Sequence, residues 1–74
     1  MKEYEVAIKF LNGCAGAAYP QISFDEACLE NTDDYVRAKH GKEFDQFVKE
    51  EFPGGRTVYT MNCGVVYIYE FTEL

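Results

Sequence analysis

The stretch from Thr32 to Phe52 constrains the fold more than any other part of the chain. At 100° per residue, one half of a helical cylinder would carry its apolar side chains and its histidine, namely Val36, His40, Phe44, Phe47, Val48 and Phe52. The other half carries mostly charged side chains. This pattern predicts an amphipathic helix, and the remainder of the chain must supply the surface on which it lies.

Both ends of this predicted helix have recognisable signals. Thr32 offers a side-chain oxygen to the free amides of a helix start, and Asp33 and Asp34 place negative charge beside the positive end of the helix dipole. Pro53 and the two glycines that follow it favour a stop, because the residue before a proline avoids the α conformation. The sequence therefore predicts one helix over residues 32–52.

Three other segments have the character of strands. Residues 3–11 alternate polar and apolar side chains, and residues 56–62 and 65–72 are rich in β-branched and aromatic residues. Asn62-Cys63-Gly64 between the last two segments predicts a hairpin connection. Residues 21–31 fit either a strand or a short helix that starts at an S-x-x-E capping box, and we favour the strand. Residues 14–20 predict no regular element.

These elements predict a single compact α+β domain over residues 1–74. The expected architecture is a small antiparallel-leaning sheet of three to four strands, in the order β-(β)-α-β-β, with the helix packed on one face. One helix covers only one side of a sheet, so the other side must meet water or a partner. In the last strand, either the row Tyr67, Tyr69 and Phe71 or the row Val66 and Ile68 would remain outside. An exposed apolar row of this kind favours an interface, with a partner or with a second copy.

Charge and composition restrict the classes of function. The formal net charge is −6, with 13 acidic and 7 basic residues, so the basic stripe needed to grip phosphate is missing and direct nucleic-acid binding is not expected. No apolar run approaches the ~20 residues of a membrane span, and the alternating, acidic start does not predict a signal peptide. Three widely spaced cysteines favour reduced thiols, and we expect a cytoplasmic protein.

A cluster of acids is the first candidate site. Five acidic residues and no basic one fall between positions 25 and 34, namely Asp25, Glu26, Glu30, Asp33 and Asp34. Such a cluster attracts basic protein surfaces and could occupy a surface that normally binds nucleic acid. The plainer interpretation is a solubilising surface that also supplies charge to the helix start.

The second candidate is a zinc site, since Cys14, Cys28, His40 and Cys63 are ligands of the types that zinc prefers. The spacing argues against it, because no close C-x2-C pair is present to bring two ligands together. Cys14 or Cys63 with His40 is also a conceivable nucleophilic pair, but no local signature of a thiol enzyme accompanies it.

The sequence therefore favours a non-enzymatic, acidic protein-binding module, with an inhibitor of a basic nucleic-acid-binding surface as its sharpest form. The alternative is a small zinc-binding domain. The profile is typical of small inhibitors carried by mobile elements, anti-CRISPR proteins among them, although this is an analogy of class and no residue motif supports it.

Overall fold

A computed structural model describes residues 1–12, 21–62 and 64–74 of the chain. The described strands are β1 (Lys2–Asn12), β2 (Gln21–Leu29), β3 (Val48–Phe52), β4 (Arg56–Asn62) and β5 (Val65–Glu73). They form one antiparallel sheet of five strands in the order β2-β1-β5-β4-β3. A short α-helix, α1 (Thr32–His40), continues into a 3-10 segment (Gly41–Gln46). The predicted α+β class is confirmed, but the sheet has five strands where three to four were expected.

The additional strand comes from the second half of the predicted helix. The prediction of one helix over residues 32–52 is wrong beyond His40, where Gly41 adopts a positive φ of 57° and its amide donates to the Arg37 carbonyl. Glycine takes this conformation without a Cβ penalty, so it ends α1 early. Residues 48–52 then pair with β4 as an edge strand.

The turn after Phe52 also has a different role from the one predicted. Gly54 and Gly55 both have positive φ angles, of 85° and 74°, and they carry the chain from β3 into β4. Pro53 and these glycines therefore form a hairpin turn and do not end a helix. Val48 and Phe52, which were assigned to the apolar half of the helix, lie on an exposed strand.

The start of α1 is capped by a different residue from the one expected. Asn31 is the N-cap, and its side chain accepts a hydrogen bond of 2.9 Å from the Asp33 amide. Thr32 is buried, and its hydroxyl shares a hydrogen bond of 2.8 Å with the hydroxyl of Tyr59 on β4. The threonine thus anchors the helix to the sheet and does not satisfy the helix amides.

The strand predictions are confirmed. Residues 21–29 form a strand and not the capping-box helix. Between β4 and β5, Gly64 has a φ of 91° and its amide donates to the Asn62 side-chain oxygen at 3.4 Å. Cys63 and the unassigned stretch 14–20 lie outside the described residues.

The hydrophobic core lies between the sheet and the helical segment. Val36 of α1 is fully buried against strand residues Val6, Tyr59, Tyr69 and Phe71. The aromatic rings meet mostly edge to face; Phe71, for example, lies 5.5 Å from Tyr59 between ring centroids. Phe44 and Phe47 of the predicted apolar stripe also pack on this core. Within the described part of the chain, no helix has the length and apolar character needed to cross a membrane.

Candidate functional site: the open face of the sheet

The register of the strands defines which side chains the helix leaves uncovered. The buried residues of the sheet are even-numbered on β1 and odd-numbered on β4 and β5. They are Val6, Tyr59, Met61, Tyr69 and Phe71. Because side chains alternate along a strand and paired residues share a face, the opposite side carries the odd-numbered residues of β1 and the even-numbered residues of β2 to β5. We call this side the open face. Of the two alternatives for the last strand, the aromatic row is covered and Val66 and Ile68 are left outside.

The open face exposes several large apolar side chains. On β2, Phe24 is 70% and Ile22 is 51% exposed, and on β3 Val48 is 61% exposed. Phe52 is exposed as well, while Ile68 and Val58 between the two edges are half-buried. This concentration of exposed apolar side chains makes the open face the candidate functional site.

An ion-pair cluster occupies the centre of the open face. Glu70 on β5 lies 2.5 Å from the Lys9 ammonium and also pairs with the Arg56 guanidinium. Hydrogen bonds from Lys9 and then Arg56 hold the pKa of Glu70 below its usual value, although partial burial acts in the opposite direction. The charged groups at the centre of the face are therefore paired with one another within the protein.

Charges at the β2 end of the open face are not neutralised in this way. Glu5 on β1 and Glu26 on β2 are directly opposite each other in the register. Both are exposed, and neither carboxylate has an ion-pair or hydrogen-bond partner among the residues that the structure describes. Two like charges directly across a strand pair repel. With Phe24 and Asp25, they line a shallow depression of about 250 Å³.

The five acids predicted as a partner-binding cluster do not lie on one surface. Asp25 and Glu26 are neighbours on β2 and point to opposite faces of the sheet. On the covered side, Asp25 accepts a hydrogen bond of 2.9 Å from the Tyr35 hydroxyl. Burial, with this bond, raises the pKa of Tyr35 to about 12. Glu26 belongs to the open face.

The other three acids lie around the start of α1. Asp33 accepts a hydrogen bond from the Tyr59 hydroxyl and lies 3.2 Å from the Lys49 ammonium, so it links α1 to β4 and β3. Burial opposes ionisation of Asp33, but these two partners outweigh it and the pKa of Asp33 is lowered. Asp34 is 3.5 Å from Arg37 on the exposed side of the helix, and Glu30 is exposed in the connection before it. Asp33 thus has a structural role, whereas Glu26, Glu30 and Asp34 are accessible.

Only two of the four predicted zinc ligands belong to the described residues, since Cys14 and Cys63 do not. Cys28 is exposed on the open face. His40 is on the covered side, where its Nε2 lies 2.6 Å from the Tyr69 hydroxyl and its ring packs against Phe47 and Tyr67. Burial lowers the pKa of His40. Cys28 and His40 thus lie on opposite sides of the sheet, and no group of three or more potential ligands occurs within the described ranges.

The structure adds Glu5, Ile22 and Phe24 to the candidate site, none of which was predicted as a site residue. The alternation of residues 3–11 already placed Glu5 on the face away from Tyr4 and Val6. The pairing of Glu5 with Glu26 depends on strand register, which the sequence of either strand alone does not specify.

Comparison with protein families, with curated proteins and with solved structures finds no match to this chain. What the fold and site define is a class: an α+β protein whose antiparallel sheet is covered on one side and exposes an apolar and acidic surface on the other.

Proposed function

We propose that this protein is a non-enzymatic, acidic protein-binding module that docks through its open face. The observation that carries the proposal is a combination on one uncovered side of the sheet. Exposed Phe24, Ile22 and Val48 lie there with Glu5 and Glu26, whose carboxylates have no ion-pair partner in the described part of the chain. Apolar contacts supply binding energy, and the acids select the partner by charge. The partner is a protein whose surface has an apolar centre and a basic rim.

Charge favours such a partner over a second copy of the chain. The net charge is −6, and the basic residues at the centre of the open face, Lys9 and Arg56, are already paired with Glu70. Two copies meeting through this face would place Glu5 and Glu26 of each against an acidic surface. Self-association through the open face is therefore the outcome that the test must separate from partner binding.

The sharper form of the proposal concerns a partner that binds nucleic acid. A surface that binds nucleic acid carries clustered lysine and arginine side chains, which are the groups that exposed Glu5 and Glu26 on the open face attract. Asp34 lies on the helix and is not part of this face. A module that occupies this surface excludes the nucleic acid and acts as an inhibitor. Asp33 contributes less to such binding, because Tyr59 and Lys49 already hold its carboxylate.

The test is capture from a lysate of the source cells, compared between two matched variants. Ile22→Ser with Phe24→Ser removes apolar groups from the open face, while Ala38→Ser with Lys42→Ser changes exposed positions on the helical segment. The proposal predicts that one basic protein is recovered with the native chain and the helix variant, and is lost with the open-face variant. Both variants must first show the native circular-dichroism spectrum.

Three further results decide between the forms of the proposal. Added duplex DNA or RNA that displaces the captured protein supports the inhibitor, whereas co-capture with nucleic acid contradicts it. Light scattering that shows a dimer, abolished by the open-face variant, would replace the partner with a second copy. Equal capture by both variants would show that the open face is not the docking surface.

A further inference from the structure

The two edges of the sheet differ in how well they are protected against a further strand. Edge strand β3 has 5 residues and carries Lys49, Glu50 and Glu51, which is a usual defence of a sheet edge. Edge strand β2 has 9 residues and contains neither proline nor lysine. The six residues 21–26 are all exposed, so the helical segment leaves the first part of β2 uncovered on both of its faces.

The hydrogen-bond ladder fixes which backbone groups of β2 point outward. The Leu74 amide donates to the Glu3 carbonyl at 2.9 Å, so the odd-numbered residues of β1 direct their backbone groups toward β5. The even-numbered residues of β1 then bond to β2, and their partners there are residues 21, 23, 25, 27 and 29. The amides and carbonyls of Ile22, Phe24, Glu26 and Cys28 consequently point away from the sheet, and no described strand pairs with them. The Glu26 amide donates to the Asp25 carboxylate at 2.9 Å, so the amides of Ile22 and Phe24 are the donors offered to an added strand.

The side chains of the same residues would determine which partner strand binds. The residues of β2 whose backbone groups point outward have their side chains on the open face. In chain order these are the apolar Ile22 and Phe24 and then the acidic Glu26. Glu26 is repelled by Glu5 across the β1–β2 pair. A basic side chain placed opposite Glu26 would relieve this repulsion, and an arginine there could also lie against the exposed ring of Phe24.

We propose that β2 is a β-augmentation site, at which an extended segment of a partner protein adds a sixth strand beside residues 22–28. Its recognised sequence has lysine or arginine opposite Glu26 and apolar residues opposite Ile22 and Phe24. Backbone hydrogen bonds supply affinity and the alternating side chains supply specificity. This inference rests on the proposed function and assigns the binding mode to one edge.

A second copy of β2 is a poor occupant of this edge. The strand contains Asp25 and Glu26 and no basic residue, so pairing two copies brings four carboxylates to one seam without a counter-charge. A basic strand instead finds complementary charge there. The chemistry therefore favours a basic, extended segment over self-pairing.

The experiment uses a labelled seven-residue peptide, Thr-Lys-Thr-Val-Thr-Val-Thr, and it reads amide hydrogen exchange by NMR. In antiparallel pairing this peptide places lysine opposite Glu26 and valine opposite Phe24 and Ile22. In the free protein, we expect fast exchange at residues 22 and 24 and slower exchange at residues 23, 25 and 27. Peptide binding should slow exchange at the first set. A peptide with glutamate in place of lysine should not bind, and N-methylation of the peptide backbone along one edge should abolish binding while leaving its charge intact.

Matched charge reversals on the protein complete the test. Glu26→Lys should weaken peptide binding by about tenfold, whereas Glu50→Lys, which makes the same change on the open face at the opposite edge, should have little effect. Equal weakening by both would overturn the edge assignment, as would a failure of the peptide to bind.

Two outcomes separate this inference from the proposed function. Binding that survives N-methylation and leaves exchange at residues 22 and 24 unchanged would contradict strand addition, while the open-face capture result would still stand. Protection of these amides that rises with protein concentration alone would assign the edge to a second copy and overturn the inference.

Discussion

The two faces of the sheet are built from the same five strands and differ in how far their side chains are buried. On the covered face, Val6, Tyr59 and Phe71 are at most 1% exposed beneath α1 and the 3-10 segment. On the open face, Phe24 and Val48 are more than half exposed, and the most enclosed charged group, Glu70, is held by two basic side chains. The comparison teaches that the covered face forms the core, while the open face leaves apolar and acidic side chains exposed.

The largest effect is expected when substitution of a buried phenylalanine on the covered face is compared with substitution of an exposed one on the open face. Phe71→Ala removes a fully buried ring from the covered face and should lower the free energy of unfolding by about 3–5 kcal/mol, a large part of what a small domain has. Phe24→Ala removes an exposed ring from the open face and should change it by less than about 0.5 kcal/mol. Urea denaturation followed by circular dichroism measures both. Similar losses in the two variants would mean that the open face also contributes to the core.

An intermediate effect is expected at the centre of the open face. Glu70→Gln removes the carboxylate that pairs with Lys9 and Arg56 and should cost about 1 kcal/mol of unfolding free energy. The pKa of Glu70 is lowered in the folded state, so its contribution is present above about pH 4.5 and is lost as the pH falls through the folded pKa. Urea titrations at a series of pH values should show a flatter acid limb for Glu70→Gln. Glu50→Gln, at an exposed site on the same face, serves as the control.

The smallest effect is expected from the histidine on the covered face. Burial lowers the pKa of His40 in the folded protein below the usual 6.5, which is the value in the unfolded chain. At pH values between the folded and the unfolded pKa, the unfolded chain therefore binds the proton more readily. The free energy of unfolding should therefore fall as the pH falls through 6.5, and His40→Gln should remove this slope between pH 7.5 and 5.5. His40 is the only histidine in the chain, and thermal unfolding across this range isolates it. An unchanged slope in the variant would show that His40 is not the responsible group.

Part of the candidate site could be predicted from the sequence, and part depended on pairing. The need for an uncovered sheet face followed from the small number of elements, since one helix cannot cover two faces. The acids at 25–34 were visible as a cluster, but alternation along β2 separates Asp25 from Glu26, and the Tyr59 and Lys49 contacts engage Asp33. Contacts between residues far apart in the chain cannot be inferred from local pattern.

The helix prediction failed for a related reason. Residues 48–52 have apolar side chains that suit one side of a helix, and the same residues alternate well enough to form a strand. Gly41 interrupts the helix, and the turn at residues 53–55 brings β3 beside β4, where its backbone gains ladder hydrogen bonds. Tertiary pairing thus decided between two local structures of similar propensity.

The sequence by itself determined that the chain is an acidic α+β protein with more apolar strand surface than its helix can cover, because periodicity and charge are local properties. Only the tertiary structure decided the strand order and register. These place Glu5 beside Glu26 and leave β2 as an edge with outward backbone groups. The physical reason is that register arises from pairing between distant segments, and a shift by one residue would exchange the two faces of the sheet.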